Sequence, residues 1–130
     1  MQKENQKTID NFLEYADAIS DDILAEMQEM LGTMPVILPM ARERPQTFVF
    51  TALADLQIAR PPNLPPKTAE LLAVAAAAAA GASHCLKVHI RAAKKEGASR
   101  DEIYETIQIA ALIGKTNVLA AGFRELADAF

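Results

Sequence analysis

Six consecutive alanines at positions 75–80 constrain what this chain can fold into more than any other feature. Alanine has the highest helix propensity of any residue and almost no side-chain bulk. The run therefore predicts a helix over Lys67–Ala80 that neighbouring helices can approach closely. Leu71, Leu72 and Val74 in the same segment argue against low-complexity disorder. Gly81 breaks the run, and Ser83 is a good N-cap for a second, basic helix. The two together predict a central helical hairpin.

That second helix holds the only cysteine, Cys85, and the only histidines, His84 and His89. Cys85 falls in the first turn, where free N–H groups and the helix dipole favour an anion. The thiolate is the nucleophilic form of cysteine. His89 is four residues on, hence on the same face one turn deeper, whereas His84 adjoins the thiol in sequence but points elsewhere. Val88, Ala92 and Glu96 share the Cys85–His89 face, with Lys87, Arg91 and Lys94 opposite. The expectation is a thiol and an imidazole that look toward protein, with the basic side chains in water. Taken singly, a lone cysteine is a small buried hydrophobe and a lone histidine a satisfied core residue. Cys-x3-His supplies too few ligands for a zinc site, so no metal is assigned. Glu70 sits in the first turn of the alanine-rich helix, where the dipole favours a carboxylate in any case. In an ideal hairpin it would lie nearer Lys94 than Cys85, so spacing alone leaves it outside the thiol site.

The segment Glu70-(x)11-Ala82-Ser83-His84-Cys85-(x)3-His89 closely resembles the AhpD-like, carboxymuconolactone decarboxylase family. The peroxidase branch of that family has a glutamate, then a Cys-x-x-Cys motif, then a histidine four residues after the second cysteine. Glu70, His84, Cys85 and His89 fall on the matching positions, and Ala82 stands where the first cysteine would be. Arg91-Ala92-Ala93 and the run from Gly97 to Ile103 also look like the family pattern, and the likeness covers roughly Leu64 to Asn117. The resemblance implies an AhpD-like all-α bundle, commonly assembled as a trimer or hexamer. It is also the resemblance that brings Glu70 into the site.

The remainder of the chain fits one all-α domain over residues 1–130. Apolar residues make up 51% of it while aromatics make up 5%, and alanine supplies the difference, which favours closely packed helices over a sheet. Phe12, Ala16, Ile19, Ile23, Met27 and Met30 recur at helical intervals. They predict an amphipathic N-terminal helix over Thr8–Leu31 within residues 1–32, with Gly32 as its stop and Ser20-Asp21-Asp22 as a place where it could break. A short helix is expected over Met34–Arg42, starting at Pro35, and another over Pro45–Ala59. The proline-rich segment Arg60–Pro66 is a stiff connector. After Gly97, Ser99-Arg100-Asp101-Glu102 has capping-box spacing and opens another helix. Ile109–Ile113 is apolar all round, which predicts burial on every side, and Gly114-Lys115-Thr116 marks a break before a final amphipathic helix. So apolar a chain is expected to hide surface in a homo-oligomer.

A net charge of −4 gives no basic footprint for nucleic acid. The N-terminal segment carries no apolar signal, and the longest uncharged stretch, Leu71–Leu86, is shorter than the roughly 20 residues of a membrane span. A single cysteine suits a reducing cytoplasm. Neither nucleic acid nor membrane is therefore expected as a partner.

Three functions fit these residues. The first is a thiol-dependent oxidoreductase without a cofactor. In it Cys85 attacks a peroxide or disulfide, His89 and Glu70 move protons, and His84 helps orient the site. With Ala82 in place of a resolving cysteine, an external thiol donor completes the cycle. The second is a carboxymuconolactone decarboxylase-like lyase, with a histidine moving a proton on a small carboxylated lactone. The third is a non-catalytic oligomeric scaffold.

Overall fold

A computed structural model describes residues 1–130. Seven helices take up 81% of the chain and there is no strand, so the all-α expectation holds. The chain divides into two compact units, Met1–Pro62 and Asn63–Phe130, whose boundary falls inside the proline-rich connector.

The first unit contains α1 (Lys3–Leu13), α2 (Ala16–Leu31), α3 (Ile37–Arg42) and α4 (Pro45–Ala59). The single N-terminal helix expected over Thr8–Leu31 is two helices, broken at Glu14–Tyr15 and continuous through Ser20-Asp21-Asp22. Ser20 is no breaker because its buried hydroxyl bonds back to the Ala16 carbonyl of its own helix. Gly32 ends α2 with φ of 68°, a left-handed conformation that glycine adopts without a Cβ clash. The short helix opens two residues later than Pro35, although Leu38 N–H already bonds the Pro35 carbonyl. Pro45 occupies N1 of α4, as its fixed φ favours. Ile23 and Met27 of α2 pack on Phe48, Val49 and Ala52 of α4. Arg42 clips α3 to α2 by donating to Asp17 at 2.9 Å and Asp21 at 2.8 Å.

The second unit contains α5 (Pro66–Ala79), α6 (Ser83–Lys95) and α7 (Arg100–Ala129). The helices α5 and α6 form the expected hairpin, and its turn is set by backbone. Gly81, with φ of +65°, follows the last turn of α5. Its N–H bonds the Ala78 carbonyl and that of Ala82 bonds the Ala77 carbonyl, the paired bonds of a Schellman stop. Gly97, with φ of +85°, ends α6 the same way, with Ala98 N–H on the Ala93 carbonyl. The expected capping box is present at α7, where Ser99 and Glu102 each bond the other's backbone N–H. Val74, Ala93 and Ala98 are the buried centre of one apolar cluster, against which Leu71, Leu86, Ile90, Ile103 and Ile107 pack.

Two expectations for α7 are corrected. It runs unbroken through Gly114-Lys115-Thr116. A mid-helix glycine costs only about 1 kcal/mol, and Thr116 Oγ1 bonds the Leu112 carbonyl within the helix. The apolar turn Ile109–Ile113 is not buried: Ala110 is covered, whereas Ile109, Leu112 and Ile113 are exposed. All-round apolarity predicts cover, but within this chain no element supplies it beyond Ala110. By length and composition α7 is also the one helix apolar enough to cross a membrane.

Candidate functional site

The site starts from the α5–α6 turn. Ala82, not Ser83, is the N-cap of α6, and Ser83 is its first helical residue. The Schellman bonds already fix Ala82, whose carbonyl accepts from Leu86 N–H at 2.8 Å. A side-chain cap is therefore unnecessary, and the serine moves one place inward. Cys85 stays in the first turn, as expected. Its thiol is exposed, however, rather than turned into protein. His84 is exposed beside it. Helical periodicity assigns the face correctly, since Val88 and Ala92 on it are buried. It cannot tell whether another element reaches as far as the first turn, and none covers the thiol.

His89 lies one turn deeper and is partly buried. Its Nδ1 is 2.8 Å from Oε2 of Glu70, which is 2% exposed and among the largest fully buried side chains of the chain. An ionised carboxylate this deep is tolerated only when hydrogen-bonded or paired. No buried side-chain polar atom lacks a partner. Glu70 therefore meets His89, a contact that hairpin counting does not predict. Register counted along two parallel rods errs here by about a turn. With Glu70 ionised, Nδ1 carries the proton and donates, which leaves the Nε2 lone pair as a base.

Sequence reading misses one supporting contact. Lys67, one turn before Glu70 on α5, donates to Glu102 at 2.8 Å and ties the start of α5 to the start of α7. The Lys67 ammonium, with the Ser99 N–H, holds the Glu102 carboxyl below the ordinary carboxylate range. Capping-box spacing signals the role of Glu102 at Ser99, but nothing local signals Lys67. No group of three or more His, Cys, Asp or Glu side chains is gathered to hold a metal ion. The four candidate residues fall into a Glu70–His89 pair, buried at the carboxylate and partly buried at the ring, and an exposed His84-Cys85 step one turn above it.

Neither a curated protein nor a solved structure matches the chain. A family model does match, over residues 47–128, which takes in nearly all of α4 and the hairpin and runs almost to the end of α7. That is well over half of the chain, and it contains every residue of the site: the chain belongs to the carboxymuconolactone decarboxylase family.

Proposed function

We propose that the protein is an AhpD-like, thiol-dependent oxidoreductase that reduces a peroxide at Cys85 with the help of an external thiol. The observation that carries the reading is the 2.8 Å bond from a buried carboxylate, Glu70, to an imidazole one turn along from the only thiol. A carboxylate on Nδ1 orients the ring and holds its tautomer, the general device of a base positioned by a third group.

In the proposed cycle His89 Nε2 takes the Cys85 proton, and the thiolate attacks the terminal oxygen of a hydroperoxide. The O–O bond breaks, cysteine becomes a sulfenic acid, and the proton passes to the leaving alkoxide, which departs as an alcohol. An external thiol then forms a mixed disulfide with Cys85 and releases water. A second external thiol frees Cys85 and leaves as the external disulfide. The peroxide is reduced by two electrons and two external thiols are oxidised. The exposed thiol suits this cycle, because a bulky donor must reach the sulfur. His84, exposed at the same turn, is positioned to meet the incoming substrate.

A second reading is favoured by the completeness of the Glu70–His89 pair without sulfur. The same base could move a proton on a small carboxylated substrate, as a decarboxylase-like lyase. Peroxide consumption with monothiol donors, compared among wild type, Cys85→Ser and His89→Ala, separates the two. The oxidoreductase loses turnover in both variants. Peroxide turnover that survives Cys85→Ser would overturn the thiol reading. A lyase activity abolished by His89→Ala alone would replace it.

A further inference from the structure

The bond between Glu70 and His89 needs a register that an idealised hairpin does not give, so the α5–α6 turn alone does not account for it. Something must hold α5 at its other end. Residues 62–66 are exposed, and α5 opens behind Pro65 without a side-chain cap. Lys67 is the only side chain of residues 63–69 that makes a hydrogen bond or ion pair. It stands three residues before Glu70, a neighbour on the helix surface. One turn of α5 therefore meets α7 through Lys67 and α6 through Glu70.

The acceptor of Lys67 is itself held from both sides. Glu102 Oε1 accepts from Lys67 Nζ at 2.8 Å while Oε2 accepts from Ser99 N–H at 2.7 Å. Ser99 Oγ accepts in return from Glu102 N–H. A carboxylate fixed by its own cap has little rotamer freedom left to lose, so it is a preorganised anchor. Ser99 follows buried Ala98, whose N–H bonds the Ala93 carbonyl of α6. These contacts close a frame. Glu70–His89 joins α5 to α6, the Gly97–Ser99 link joins α6 to α7, and Lys67–Glu102 joins α7 back to α5. Leu71, Val74, Ile103 and Ile107 fill the frame, but apolar contact is non-directional, whereas a bond at 2.8 Å fixes a length.

We infer that Lys67 is a positioning residue for the Glu70–His89 pair: its bond to Glu102 sets how far α5 is advanced along α6 and so keeps the Glu70 carboxylate on His89 Nδ1. The ion pair is 41% and 39% exposed on its two sides, so it adds little to folding, and its effect is geometric. Without it the Nδ1 proton loses its acceptor, the ring can carry its proton on Nε2 instead, and the lone pair that serves as a base is lost. The inference rests on the thiol reading for what the base does, and on the frame alone for where the ring is held.

Nitrogen-15 NMR of the histidine rings in the full chain tests it, at about pH 8, above the usual imidazole range. Ring shifts distinguish the two neutral tautomers, and exposed His84 is the internal reference. Wild-type His89 is expected to be the Nδ1–H tautomer. Lys67→Met, which leaves Glu102 on Ser99, is expected to mix in the other tautomer at His89 with His84 unmoved. The same variant is expected to slow the reaction of Cys85 with a hydroperoxide by about tenfold, short of the roughly hundredfold that a 1 Å misplacement can cost. Lys67→Arg, which keeps the charge, is expected to restore both. His89 shifts in Lys67→Met identical to wild type overturn the proposal. So do equal changes at His84 and His89, which mark general loosening, and a Lys67→Arg variant that behaves like Lys67→Met. If wild type consumes no peroxide, the thiol reading falls while the ring shifts still decide the role of Lys67.

Discussion

Replacing Ala82 by cysteine is the most direct probe of the α5–α6 turn. Ala82 is held twice: its N–H bonds the Ala77 carbonyl at 2.9 Å and its carbonyl accepts from Leu86 at 2.8 Å. It is the N-cap of α6, and Cys85 is the third helical residue after it. Helix geometry puts Cα atoms three residues apart at about 5 Å, inside the roughly 4.4–6.8 Å that a disulfide requires. Ala82 is half-buried and Cys85 exposed, so the added sulfur displaces no core atom. Ala82→Cys is therefore expected to form an intramolecular disulfide on mild oxidation, seen as an intact mass lower by two hydrogens. Closing so short a loop stabilises the oxidised form by at most about 2 kcal/mol. The larger effect is kinetic. A neighbouring thiol acts at an effective concentration of about 1 mM or more. Resolution of a Cys85 sulfenic acid should then outpace 0.1 mM external thiol by roughly tenfold, and dithiol-driven peroxide turnover should rise accordingly. Wild type should stop at a sulfenic acid, a mixed disulfide or a cross-subunit disulfide. An oxidised Ala82→Cys variant without an internal disulfide would refute the turn geometry, and with it the assignment of Cys85 as a redox nucleophile.

His89→Ala removes a hydrogen-bond partner of a carboxylate that is 2% exposed, and should cost about 1–3 kcal/mol in urea unfolding followed by circular dichroism; adding Glu70→Gln should recover part of that loss. A His89→Ala midpoint equal to wild type would show that the pair anchors nothing. The Glu102 carboxyl is held below its ordinary range by Lys67, so its contribution is present above the unfolded value of about 4.3 and is lost as pH falls through the folded value. Glu102→Gln should therefore lower thermal stability at pH 7 and flatten its decline below pH 4.3; an unchanged acid profile would show that the Lys67 contact does not couple to folding.

How far the residues alone reach depends on what fixes each feature. The bounds of α4, from Pro45 to Ala59, and the Ser99–Glu102 cap are legible because proline geometry and capping act within a few residues. The end of α2 at Gly32 and the hairpin break at Gly81 are legible for the same reason, since both glycines take a left-handed φ. The break at Glu14–Tyr15 has no such local cause: neither glycine nor proline stands there, and α1 and α2 part where Phe12 and Ala16 meet the apolar cluster around α4. The exposure of Cys85 and of Ile109, Leu112 and Ile113 was hidden for a related reason. Periodicity reports which residues share a face, and only tertiary structure decides whether anything stands opposite that face. Glu70 is the sharpest case. Sequence places it in the first turn of the alanine-rich helix, where a carboxylate has an ordinary local explanation, but α5 opens at Pro66 and Glu70 lies beyond its first turn. Its bond to His89, 19 residues away, depends on a register that an idealised hairpin misplaces by about a turn. Burial then separates the two explanations. A carboxylate that merely favoured a helix dipole would be left in water, where the interaction is nearly free of desolvation cost. Glu70 is instead almost fully buried and aimed at a ring nitrogen. A buried carboxylate needs a partner, and this one stands on α6 one turn from the only thiol, the juxtaposition on which the proposed proton chemistry rests.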